Sequence, residues 1–188
     1  MATVTESSTG VSFPEQQTFW KNGMLTCVGV GPRIKKIGFV SIKAYAVCQY
    51  IDVKAAAAAL AKPGCEAAAQ ALLQGGAFTQ VLQMQLVRDV TGKQFSDTLD
   101  EVMRPLMKGN EADLDTFCAY LSAQPLSHGT QITFMRHADG SVDVALQPGL
   151  TIAGRRLGDT LWTLFLSHDG PTPEARKAWL AAVAKLGA

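Results

Sequence analysis

The sequence predicts an α+β protein in which a large antiparallel sheet is covered on one face by a layer of helices. β-type sequence fills the first part of the chain, helix-forming sequence begins abruptly at Val53, and a hairpin and more helices come last. This order differs from the alternating strands and helices of a parallel sheet. The 188 residues fit one domain. We place that domain at 11–188, after a Ser/Thr-rich segment, 1–10, that we expect to be disordered.

The β-type region extends from Val11 to Tyr50, where short runs of Val, Ile, Phe and Thr are interrupted by glycine and proline. On one straight strand, Arg33 and Tyr45 would lie about 40 Å apart at about 3.3 Å per residue. Gly38 lies almost midway between them. A reversal of the chain at Gly38 would therefore bring Arg33 opposite Tyr45 on two paired strands.

The remaining elements follow from the spacing of apolar residues and from caps and turn residues. The Ala-rich stretch after Val53 predicts a helix that Pro63 interrupts and Gly75 ends. The elements predicted after it are a strand over 79–90, helices capped by Ser96 and Asn110, a hairpin over 131–146 turning at Asp139, and helices over 155–166 and 173–186.

Composition excludes several classes of function. Lysine and arginine total 17 against 16 aspartate and glutamate, and a net charge of +1 gives no long-range field to attract nucleic acid or an anionic membrane. The chain has no C-x-x-C pair, which argues against a zinc site or a disulfide framework, and Pro32 interrupts the one fragment of a dinucleotide fingerprint. We therefore expect no metal, no cofactor and a small molecule as partner.

The N-terminus lacks the basic and apolar regions of a secretory signal, and no apolar run approaches the ~20 residues of a membrane helix. We expect a cytoplasmic monomer. A plastid protein whose transit peptide is missing from this sequence is the alternative.

Arg33, Lys43 and Tyr45 are polar or amphipathic within an otherwise apolar β segment. If Arg33 and Tyr45 meet at the mouth of an apolar pocket, the guanidinium fork matches a carboxylate and the phenol donates a second hydrogen bond. The alternative is that Arg33 and Lys43 point to solvent from an exposed sheet face. The residues alone leave both interpretations open.

Three blocks of sequence resemble the chalcone isomerase family, in the family's order and over residues 11–182. They are GPRIKKIGFVSIKAYAVCQYID, KQFSDTLDEV and LGDTLWTLFLSHDGPTPEARKAW. The resemblance implies an open-faced sandwich, with helices packed on a large antiparallel sheet and a deep cleft between them. In the true isomerases that cleft cyclises a chalcone to a flavanone.

The family's polar groups are mostly missing here. Its arginine is kept as Arg33, and its strand threonine falls on Tyr45. Three further polar positions have become apolar, at Phe95, Val102 and Leu164. The resemblance therefore implies no catalytic residue, except Arg33 if any activity remains.

The combination of Arg33 with Tyr45 looks like the family's non-catalytic branch, which binds fatty acids. It implies that Arg33 and Tyr45 hold the head group and that Phe95, Val102 and Leu164 line the tail. Two alternatives stay open: a chalcone isomerase of weak activity, and an auxiliary protein that acts through a flavonoid-pathway partner.

Overall fold

The computed structural model describes residues 2–20, 23–146 and 148–186. Its strands are β1 (Thr3–Thr5), β2 (Ser12–Pro14), β3 (Gln16–Thr18), β4 (Met24–Ile37), β5 (Val40–Ile51), β6 (Gln80–Leu86), β7 (Gln131–Arg136), β8 (Val142–Ala145) and β9 (Leu150–Ile152). Its helices are α1 (Val53–Ala59), α2 (Glu66–Gly75), α3 (Gly92–Met103), α4 (Glu111–Ser122), α5 (Arg155–Leu166) and α6 (Pro173–Ala184), and a short 3₁₀ turn, Arg104–Leu106, follows α3.

The strands β3 to β9 form one seven-stranded sheet in which every strand pairs antiparallel with its neighbour in sequence. The helices pack against this sheet, so the α+β fold class is confirmed. The pair β1–β2 is a separate ribbon. None of the helices in the described ranges is long and apolar enough to cross a membrane.

Side chains alternate between the two faces of the sheet along β5. Tyr45, Val47 and Ile51 belong to the core formed with the helices, whereas Cys48 and Tyr50 belong to a smaller core on the opposite face. That smaller core is completed by residues of the N-terminal part of the chain, namely Val11, Phe13, Phe19 and Leu25. The sheet is therefore covered on both faces, by the helices on one face and by residues 11–19 on the other.

The segment 1–10, for which composition predicts disorder, instead contributes β1, which pairs with β2. The turn that follows β1 is organised by Glu6, which is only 5% exposed. The Glu6 carboxylate accepts hydrogen bonds from the backbone N–H and the hydroxyl of both Ser8 and Thr9. A single buried carboxylate thus orders a stretch whose Ser/Thr content is typical of disorder.

The start of α3 also differs from the prediction. Thr91 is its N-cap and forms a capping box with Gln94, in which each side chain bonds the other residue's backbone N–H. The predicted cap, Ser96, lies one turn inside the helix and donates to the carbonyl oxygen of Lys93. Thr91 with Gln94 is a complete S/T-x-x-E/Q signal, which outweighs an isolated serine.

The helix α6 packs directly on β4 through two glycines of the strand. A Cβ atom on Gly31 would lie 2.4 Å from the backbone nitrogen of Ala175, and one on Gly29 would lie 2.8 Å from the Ala178 side chain. The indole N–H of Trp179 donates to the carbonyl oxygen of Gly29 at 2.9 Å. The two glycines therefore serve close approach of a helix, in the segment that resembles part of a dinucleotide fingerprint.

The last turn of α2 is closed by side chains from distant elements. The Leu73 carbonyl accepts from Gln80 and Arg136, the Gln74 carbonyl accepts from Arg136, and the Gly75 carbonyl accepts from Arg155. Arg136 is fully buried and also pairs with Asp159 of α5. These bonds satisfy carbonyl groups that a helix end leaves without intrahelical donors.

Candidate ligand-binding site

Arg33 and Tyr45 stand directly opposite each other on β4 and β5, as the predicted reversal at Gly38 requires. Opposed residues of an antiparallel pair project from the same face, which for Tyr45 is the helix-covered face. Just beyond this pair the register shifts, so that Ile34 faces Lys43. The extra residue turns Lys43 to the opposite face, where its ammonium donates to the carbonyl oxygen of Ser8. Lys43 is exposed there, as the alternative interpretation of the sequence expected for it, and it lies on the face opposite Arg33 and Tyr45.

The Arg33 guanidinium is partly buried at the junction of β4 with the loop that precedes α6. Its Nη1 donates to the carbonyl oxygen of Pro171 at 2.9 Å. Among the described residues no carboxylate forms an ion pair with Arg33. A guanidinium carries five N–H donors, so most of its hydrogen-bonding capacity remains for another acceptor.

The Tyr45 side chain is 8% exposed and packs in the helix-side core. Burial raises the pKa of its phenol well above the ordinary value, and the nearby positive charge of Arg33 offsets only part of that rise. The phenol is therefore neutral at physiological pH and acts as a hydrogen-bond donor. Within the described part of the chain its hydroxyl has no hydrogen-bond partner.

The N-terminus of α6 adds two features beside Arg33 that the sequence did not single out. Thr172, the residue after the acceptor of Arg33, is fully buried and its hydroxyl has no partner among the described residues. It occupies the N-cap position of α6 without making a side-chain capping bond. The positive end of the α6 dipole therefore lies at the same junction and favours an anion there. The Thr-Pro pair at a helix start was the available sequence signal.

The three residues predicted to line the tail differ in burial. Phe95 of α3 and Leu164 of α5 are partly buried and pack against the helix-side core. Val102, near the end of α3, is 41% exposed and is not part of that core. The structure thus brings two of the three apolar residues to the interior, and leaves Val102 facing outwards.

Two surface pockets lie beside the turn that follows β1, and neither includes the predicted site. One, of about 510 Å³, lies between the turn after β1 and the strands β5 and β6, where Lys43, Gln85 and His128 contribute to its wall. The other, of about 380 Å³, lies between the same turn, β4 and Glu174 of α6. Arg33, Tyr45, Phe95 and Leu164 line neither pocket.

The four cysteines are free thiols. Cys27 and Cys48 meet across β4 and β5 with their sulfur atoms 2.8 Å apart. The hydrogen bond from Cys48 lowers the pKa of the Cys27 thiol, whereas burial raises that of Cys48. Residues 2–20, 23–146 and 148–186 contain no cluster of three or more His, Cys, Asp or Glu that could hold a metal ion.

The seven-stranded antiparallel sheet and the helices packed on it form a chalcone isomerase-like fold. A solved structure with this fold is the fatty-acid binding protein of Arabidopsis thaliana, to which the chain is similar with a TM-score of 0.83 and 19% sequence identity. The likeness covers 99% of each chain. No protein-family model matches the sequence, and no curated protein matches it. The fold predicted from the three sequence blocks is confirmed over the whole chain.

Proposed function

We propose that the protein binds a fatty acid or a similar amphipathic carboxylate, with Arg33 and Tyr45 holding the head group. The observation that carries the proposal is this cross-strand pair. Among the described residues, the Arg33 guanidinium has no carboxylate partner and the phenol of Tyr45 beside it has no hydrogen-bond acceptor. A bound carboxylate would accept from the Tyr45 hydroxyl and from the Arg33 guanidinium at the same time.

The surroundings of the pair favour a single anionic group. The α6 N-terminus presents positive dipole charge at this junction, and the Thr172 hydroxyl, which has no partner among the described residues, adds a third donor. The structurally similar Arabidopsis protein is a fatty-acid binding protein, which supports the choice of acid. The proposed binding needs no metal, no cofactor, no nucleic acid and no second copy of the chain.

The acyl chain would extend from Tyr45 between the sheet and the helices. Core side chains pack this layer closely, so a chain entering it has to displace some of them. We expect Phe95 and Leu164 to move first, because both lie at the margin of the core and are only partly buried. Each buried methylene group contributes about 0.8 kcal/mol, which favours a long chain over a short one.

A titration with palmitate tests the head-group assignment. In Arg33→Met the aliphatic stem remains and the charge is lost, so we expect the affinity to fall about 10- to 100-fold, the equivalent of about 1.5–3 kcal/mol for hydrogen bonds to a charged group. Arg156→Met is the matched control, because the Arg156 guanidinium also donates to a backbone carbonyl, that of Leu106 at the end of the 3₁₀ turn. Methyl palmitate, which lacks the carboxylate, should not distinguish the wild type from Arg33→Met. Equal palmitate affinity in the wild type and Arg33→Met would contradict the assignment.

Tyr45→Phe separates binding from folding at the same site. Because the hydroxyl has no partner among the described residues, its removal should leave the free energy of unfolding unchanged or slightly higher. Palmitate affinity should nevertheless fall about 5-fold, the equivalent of about 1 kcal/mol for one hydrogen bond. An affinity that stays unchanged would remove Tyr45 from the site.

The alternative of weak isomerase activity has its own readout. Stereoselective cyclisation of a tetrahydroxychalcone, faster than the spontaneous reaction and lost in Arg33→Met, would favour catalysis over binding. We expect no such turnover, since Phe95 and Leu164 offer no donor to a developing enolate, and removing one such donor typically costs about 10²–10³ in rate.

A further inference from the structure

The hairpin of β4 and β5 extends beyond the rest of the sheet. The pairing of β5 with β6 begins at Tyr45, and β3 pairs with β4 only at its opposite end, from Met24 to Thr26. Within the described part of the chain, residues 34–43, here called the basic ribbon, therefore pair only with each other in the sheet. At about 3.3 Å per residue, the ribbon projects roughly 16 Å past Arg33 to its turn at Gly38.

The tip of the basic ribbon is apolar and exposed. The turn consists of Gly38 and Phe39, with a positive φ of 58° at Gly38 only, which is the type II′ pattern of a two-residue hairpin. The Phe39 side chain is 109% exposed and Val40 is 61% exposed. A tight turn needs only the glycine, so hairpin geometry does not account for an aromatic side chain held in water.

The charge of the ribbon has one sign. Lys35, Lys36 and Lys43 are all exposed, and the sequence from Gln16 to Ile51 contains no aspartate or glutamate. Lys43 is held by the carbonyl oxygen of Ser8, whereas Lys35 and Lys36 make no hydrogen bond or ion pair with described residues. The net charge of the whole chain is near zero, but the basic ribbon forms a local cationic projection.

We propose that the basic ribbon docks on an anionic lipid surface, with Phe39 and Val40 entering the headgroup region and Lys35 and Lys36 meeting lipid phosphates. Aromatic side chains favour the membrane interface, and a lysine near an anionic leaflet contributes about 1 kcal/mol. A protein partner fits less well, because a tip of two side chains is far smaller than the ~800 Å² per partner of a stable interface. Nucleic acid would meet the lysines but would leave Val40 without an apolar contact.

Flotation of the full chain with lipid vesicles tests this docking without any added ligand, so its outcome is independent of the proposed fatty-acid binding. The vesicles are phosphatidylcholine alone or phosphatidylcholine mixed with phosphatidylglycerol. We expect binding to the mixed vesicles, weaker binding to phosphatidylcholine alone, and loss of binding with added salt. Lys35→Glu/Lys36→Glu should reduce the partition coefficient about 30-fold or more, since two lysines are worth about 5-fold each. Phe39→Ser should reduce it about 10-fold.

Two control variants make the test specific to the ribbon. Lys62→Glu/Lys108→Glu changes the net charge equally at exposed positions outside the ribbon, and Met24→Ser removes a 64% exposed apolar side chain at the opposite end of β4. Both should float like the wild type. The proposal is overturned if the wild type does not bind the anionic vesicles, or if the control variants lose as much binding as the ribbon variants. Self-association that Phe39→Ser abolishes, in the absence of vesicle binding, would assign the tip to a second copy instead.

Discussion

Gly31→Ala is the substitution whose consequence the structure defines most closely. The added Cβ would lie 2.4 Å from the Ala175 nitrogen and 2.7 Å from its Cα and Cβ, whereas ordinary van der Waals contact begins at 3.4 Å. The obstacle is helix backbone, so the start of α6 has to move by about 1 Å, and overpacking of this kind costs about 1–3 kcal/mol. A loss of about 2 kcal/mol lowers the Tm by about 4–8 °C in a protein of this size.

Urea denaturation of Gly31→Ala and Gly23→Ala measures this effect against its control. Gly23 has no atom within 4 Å of the position of an added Cβ. Alanine there should be neutral or slightly stabilising, because it reduces the conformational freedom of the unfolded chain. Only Gly31→Ala should therefore lower the free energy of unfolding. A Gly31→Ala protein as stable as the wild type would refute the claim that glycine permits the seating of α6. The loop that precedes α6 supplies the Pro171 carbonyl group that accepts from Arg33. A shift of α6 should therefore lower palmitate affinity as well as stability.

Three further predictions concern the remainder of the fold. Arg136→Met should lower the free energy of unfolding by about 3–5 kcal/mol, because it removes a fully buried cation from Asp159 and from the α2 carbonyls. A loss below about 1 kcal/mol in urea denaturation would contradict this. Burial raises the pKa of Tyr45 and of Tyr50, so both stay neutral in the fold while the unfolded chain ionises near pH ~10. Stability should therefore fall as the pH rises above about 10, with tyrosinate absorbance developing only on unfolding, and a flat alkaline profile would count against it. Thr91→Ala should cost about 1 kcal/mol, and Ser96→Ala less, because only Thr91 caps α3.

The sequence predicted the Arg33–Tyr45 pair because its evidence was local. A glycine midway between two β segments allows one simple reversal, and the observed register agrees with it. Lys43 has the parity of Tyr45, but a bulge one residue away turns it to the other face of the strand and leaves no mark in the apolar pattern. Parity along a strand predicts the face of a side chain only while the register is continuous.

The other differences arise from contacts between parts of the chain distant in sequence. The exposure of Val102 depends on which side of α3 meets the sheet, and the buried Thr172 hydroxyl depends on how α6 meets β4. Arg136 could have been noticed, since it shares the parity of Ile132 and Phe134 on β7, both fully buried. A cation at a core position of a strand indicates a buried acceptor, but the sequence does not say which one.

The closure of the α2 helix end has a consequence for the order in which the chain folds. Of its donors, Gln80 follows within a few residues, but Arg136 lies 62 residues beyond Gln74 and Arg155 lies 80 residues beyond Gly75. A ten-residue helix is marginal on its own in water. During synthesis, which proceeds from the N-terminus, α2 therefore remains open at its end until β7 and then α5 have left the ribosome. Folding of the N-terminal half alone should be incomplete, and the late-synthesised Arg155 sets when this corner of the molecule becomes stable.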